Sequence, residues 1–133
     1  MRPGTKKKQC RQSFFSDAAF SLFACTCIIA VLYVASVLFL WHRPALLASV
    51  LAALSVIALA MGRDKMQDLA LYAFIAVLGA ASEALCIYAG IWRYSAPGIV
   101  AGIPFWLPLV WGMGAIFIKR TASFVGLLRK WLH

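Results

Sequence analysis

Residues 69–92, LALYAFIAVLGAASEALCIYAGIW, carry a single charged side chain, Glu83, in twenty-four positions. A helix of that length rises about 36 Å, enough to cross a hydrocarbon core of about 30 Å. An acid placed there costs roughly 2.5–3.5 kcal/mol on insertion scales, so such residues face a bundle interior and mark pathways or sites. The stretch therefore points to a membrane helix and singles out one chemical position.

Three further apolar stretches flank it, at 19–41, 44–61 and 98–118, and Pro104, Pro108, Gly112 and Gly114 interrupt the last. The whole chain is 64% hydrophobic and 13% charged, against about 45–50% and 25% in soluble domains. This composition excludes an ordinary soluble enzyme. The expected architecture is an all-α, integral membrane four-helix bundle, with a basic tail at 1–18, a membrane domain at 19–118 and an amphipathic interfacial helix at 119–133. In that last helix Phe124, Val125, Leu128, Trp131 and Leu132 share one side.

Basic residues in short connections are retained on the cytoplasmic side. Arg2, Lys6, Lys7, Lys8 and Arg11 precede the first stretch, Arg63 and Lys65 separate the second from the third, and Lys119, Arg120, Arg129 and Lys130 follow the fourth. Only Arg43 and Arg93 fall on the other side, a split of eleven to two. Four spans with both termini in the cytoplasm follow, and the chain belongs in the inner membrane of a bacterium. The net charge of +9 is then topogenic and attracted to anionic lipid, and no nucleic-acid motif accompanies it. The first apolar stretch is too long for a signal peptide's core and no small-x-small cleavage site follows it, so it reads as a permanent anchor.

Cysteine usage points to no cofactor or metal. Cys25 and Cys27 fall about 200° apart around a helix, Cys10 belongs to the tail and Cys86 to the third span. His42 and Arg43 alone join the first two spans, and Pro44 suits the first turn of the second helix. Asp68 is a candidate N-cap for the third helix. Between Arg93 and Ile103 the connection holds Pro97, Gly98 and Gly102 among apolar residues and is expected to fold back over the end of the bundle.

Around the acid, Gly79, Glu83, Cys86 and Gly90 recur at spacings of four, three and four, placing Glu83 on a stripe of small residues that faces protein. Counting inward from Trp92 sets Glu83 about 13 Å deep, level with Trp111, with Tyr33 and with Ser55. The expected ligand or proton site is thus Glu83, Trp111, Tyr33 and Cys86, with Trp92, Tyr94 and Trp106 at its mouth. Desolvation and the lack of a nearby basic residue in the spans lead us to expect a protonated acid.

The run from Glu83 through Gly90-Ile91-Trp92-Arg93-Tyr94 to Pro104-Phe105-Trp106-Leu107-Pro108-Leu109-Val110-Trp111-Gly112 resembles a pattern in small uncharacterised bacterial multi-pass membrane proteins. It is also remotely similar to membrane carotenoid hydratases and lycopene cyclases, a resemblance that implies a membrane enzyme with Glu83 as general acid on an isoprenoid. Such cyclases follow their proline with paired glutamates, whereas Pro104 and Pro108 are followed by Phe-Trp and Leu-Val. In outline the chain is similar to small multidrug transporters, whose acid lies in the first helix. The residues favour a protein that binds or transports a small molecule or proton at Glu83, over an enzyme or an assembly subunit. Its partners would be the lipid bilayer and a second copy or another membrane protein.

Overall fold

The computed structural model describes residues 3–95, 99–100 and 102–132, with side chains from 18 to 129 within those ranges. Four helices account for most of it: α1 (Pro3–Leu40), α2 (Pro44–Ala60), α3 (Lys65–Tyr88) and α4 (Leu107–Leu132). Two of them, through Ala18–Leu40 of α1 and the whole of α3, are long and apolar enough to cross a membrane. The side chains of Cys10 and Trp131, and residues Pro97 and Gly98, lie outside the described residues.

Local chemistry sets the helix ends. Pro44 opens α2, where its missing N–H interrupts no bond. Asp64 caps α3, accepting from the Gln67 N–H at 3.1 Å, so the cap is Asp64 and not the expected Asp68. Asp68 is buried one turn further in. At the other end α3 stops at Tyr88, short of the expected Trp92. Gly90, at φ +75°, lets its own N–H reach Ile87 O and the Ile91 N–H reach Cys86 O, each at 3.0 Å. These are the two bonds of a Schellman motif, which reverses the chain.

Helix α4 differs from its expected outline at both ends. It begins at Leu107 instead of 98, because two short strands, β1 (Ile99–Val100) and β2 (Ile103–Pro104), pair antiparallel before it, with Val100 opposite Ile103. The hairpin closes through Gly102 at φ +86°, packed on Ile87 of α3. At its far end α4 runs on past Ile118 with no break. The expected separate interfacial helix is a continuation of α4, and its Phe124 stacks on Phe23 of α1 with ring centroids 4.4 Å apart. The expected basic tail is helical from Pro3 and continuous with the first apolar stretch in α1.

Helix α4 touches each of the other three and pairs most extensively with α3. The core lies along it: Leu47, Leu51 and Ile116 are sealed, with Ile29, Tyr33, Tyr72 and Met113 around them. Gly112 is needed because any Cβ there would collide with the Tyr72 ring. The outward surface is apolar, with Val31, Phe39, Val77 and Leu85 all strongly exposed.

Candidate functional site

Two carboxylates define two different environments. Glu83 lies five residues from the end of α3, about 8 Å of helical rise, shallower than the 13 Å reckoned from Trp92 because the Schellman turn ends the helix early. That turn sends Trp92 and Tyr94 back over the helix end. Both donate to the same oxygen of Glu83: Trp92 Nε1–H to Oε2 at 3.1 Å and Tyr94 O–H to Oε2 at 3.0 Å. Two of the three residues expected at the mouth, Trp92 and Tyr94, are thus direct partners of the acid. Burial and then the Glu83 carboxyl push the Tyr94 phenol from 10.0 up to about 12.

Below Glu83, a groove of about 620 Å³ runs between α3 and α4. Leu71, Ile75 and Glu83 line one side, and Val110, Trp111 and Gly114 line the other. Its walls are apolar apart from Glu83 near one end and Lys119 at the other. Gly79, one turn below Glu83, admits the Trp111 side chain, since a Cβ at 79 would collide with Trp111 Cγ. Of the expected stripe of small residues, Gly79 meets a side chain of the neighbouring helix, whereas Gly90 is exposed with nothing within 4 Å of its missing Cβ. Cys86 is a half-buried free thiol on the same helix.

Tyr33 is elsewhere, a correction to its expected place beside Glu83. Its hydroxyl contacts Ser55 Oγ at 2.5 Å and Leu51 O at 3.0 Å, and Ser55 in turn meets Tyr72 Oη at 2.9 Å. Both tyrosine hydroxyls also reach Leu109 O at 3.3 Å. Tyr33 joins Tyr72, eleven residues before Glu83 on α3 and about 16 Å of helical rise away, so depths reckoned from the end of each helix separately did not bring it to the acid. The three hydroxyls satisfy one another within the core, as buried polar groups require. Trp106 is buried too, and among the described residues its indole N–H meets no partner; it belongs to the core and not to the mouth of the groove.

The second carboxylate, Asp68, went unrecognised as a tertiary partner. Its Oδ1 takes a 2.6 Å ion pair from Lys119 Nζ, and its Oδ2 a longer one of 3.4 Å from Arg120 Nη2. Arg120, sealed from solvent, also donates to Thr26 Oγ1 at 2.9 Å and to Ala58 O at 2.5 Å. One guanidinium on α4 therefore binds α1, α2 and α3 together. A Cβ on Gly62, two residues past the end of α2, would overlap the Asp68 carboxylate, so glycine there makes room for this acid. The signal was present: Asp68, Tyr72, Ala76 and Gly79 are spaced four, four and three and form the buried face of α3. Following the Glu83 stripe backwards leads to Asp68.

Both described ion pairs belong to Asp68; Glu83 has neutral donors and an open groove instead. Asp68 fits a structural joint, and Glu83 fits a site. Among the described residues no group of three or more His, Cys, Asp or Glu gathers to hold a metal. No family model, no curated protein and no solved structure matches this chain.

Proposed function

We propose that this chain is a small multi-pass protein of the bacterial inner membrane that binds a small molecule in the groove between α3 and α4, with Glu83 as the polar contact. The observation that carries this reading is the half-buried Glu83 carboxyl, held by Trp92 and Tyr94 at the head of an apolar groove of about 620 Å³. Ligand sites are commonly apolar hollows of about 300–1,000 Å³ with a few fixed polar groups. A neutral strut would sit sealed in the core, as the Tyr33, Ser55 and Tyr72 hydroxyls do. Glu83 instead opens on the groove.

Support for the membrane comes from the outward faces of α1 and α3, whose apolar windows are only 17% and 11% buried within the chain. A core helix of a soluble protein would be mostly covered, and these are not. The eleven-to-two distribution of basic residues supports an orientation with both termini and the Asp68 cluster on the cytoplasmic side and Glu83 and the hairpin outside. Passage of the ligand across the membrane, or its chemical change by the acid, is an additional step to which no second residue is committed.

The test is to extract the protein from its membrane with a polymer that retains native lipid, and to compare bound small molecules by mass spectrometry for wild type and Glu83→Gln. A molecule enriched on the wild type and lost from the variant is expected. Identical profiles would refute the reading.

A further inference from the structure

The groove's shape and chemistry define its occupant more closely, on the reading that Glu83 is a binding group. We infer that the groove takes a single-chain amphiphile with a hydrogen-bond-donating amine head, the head at Glu83 and the chain lying along α4 toward Lys119. From Leu107 to Lys119, both in the lining, α4 rises about 18 Å. Half of a 30 Å hydrocarbon core is about 15 Å, the reach of one chain across one leaflet. The lining between the ends is apolar and offers a chain nothing to bond to.

Polarity is confined to the ends, and the two ends are not equivalent. Lys119 Nζ is held by Asp68 Oδ1 and Gln67 Oε1, so its charge is already matched. Glu83 is an acceptor whose present donors are neutral and share Oε2. A head that brings N–H donors and positive charge complements it, and charge-assisted bonds of this kind are about twice as strong as neutral ones. A carboxylate head brings acceptors and no N–H donor.

Gly114 lines the wall on α4, and a Cβ there would meet no atom within 4 Å. Gly114 also borders a second apolar groove of about 410 Å³ between α1 and α4, so loss of labelling in a variant at 114 is assigned to this groove only where the cross-linked peptides map to 71–83. Gly79 on the opposite wall is the reverse case, since its missing Cβ is already filled by Trp111.

The experiment uses the full chain in lipid with two photoreactive probes of equal chain length, one a primary amine and one a carboxylic acid. Cross-linked peptides are mapped for wild type, Glu83→Gln and Gly114→Phe. The amine is expected to label wild type within 71–83 and 107–119, to fall at least ten-fold with Glu83→Gln, and to be displaced by Gly114→Phe at unchanged thermal stability. Equal labelling by the acid probe, or amine labelling spread over the outer faces of α1 and α3, would overturn the amphiphile. A cross-link from the groove to a second polypeptide in place of either probe would overturn it too. If the wild type still loses an extracted molecule on Glu83→Gln, the binding reading stands while the amphiphile falls; unchanged extracts remove both.

Discussion

Gly79 and Gly114 face the same groove and should respond to substitution in opposite ways. At 79 a methyl group displaces the Trp111 indole, and overpacking of this kind costs about 1–3 kcal/mol. At 114 the methyl enters open space, and replacing a mid-helix glycine by alanine gains up to about 1 kcal/mol. Unfolding followed in mild detergent should therefore show Gly79→Ala well below wild type and Gly114→Ala at or above it; the reverse order would mean that Trp111 does not lie on Gly79. Tyr94 gives a second test. Its proton is held more tightly than that of a free phenol, so its bond to Glu83 contributes fully up to about pH 10 and is lost as pH rises toward about 12. The tyrosinate absorbance missing from Tyr94→Phe should therefore titrate above the remaining tyrosines that reach water; a component near 10 would place the phenol away from Glu83.

Helix ends depend on single residues whose role is geometric. The apolar run continues to Trp92, so composition alone extends α3 four residues beyond Tyr88. The chain turns because Gly90 adopts φ +75° with nothing around it. An alanine there meets no neighbour and bears only the left-handed backbone cost, about 1–2 kcal/mol. Gly90→Ala should shift Trp92 fluorescence toward that of a free indole, with a modest loss of stability; an unchanged spectrum would separate the turn from the Glu83 contact. The same reasoning explains what the sequence made legible. Periodicity and length yielded four apolar segments, the short link at Pro44 and the stripe carrying Glu83, because these are properties of a segment by itself. Tyr33, Asp68 and Arg120 were misplaced or passed over because their partners lie 18 to 94 positions away, and helix rotation is not written in the spacing of one helix.

Arg120 governs the whole bundle, since its side chain reaches three other helices. Removing one partner of a buried charge pair typically costs about 3–5 kcal/mol because the other is left uncompensated. Arg120→Leu should fall in that range, eased by the Lys119 contact that Asp68 retains, and Asp68→Asn should cost less because its amide oxygen still accepts from the guanidinium. Loss of stability below about 1 kcal/mol in both would mean that water reaches this cluster freely. The cluster also bears on the orientation proposed for the bundle in a bilayer. Arg63, Lys65, Lys119 and Arg120 gather at one end and Arg43 and Arg93 at the other, so inversion would require the basic N-terminal segment and the end of α4 to cross the membrane together. A cysteine at the exposed position 93 should therefore react with an impermeant maleimide added outside intact cells, while one at the exposed position 65 should react only after the membrane is opened. The opposite pattern would turn the molecule over and place Glu83 at the cytoplasmic leaflet, with its groove facing the amphiphiles of that side instead.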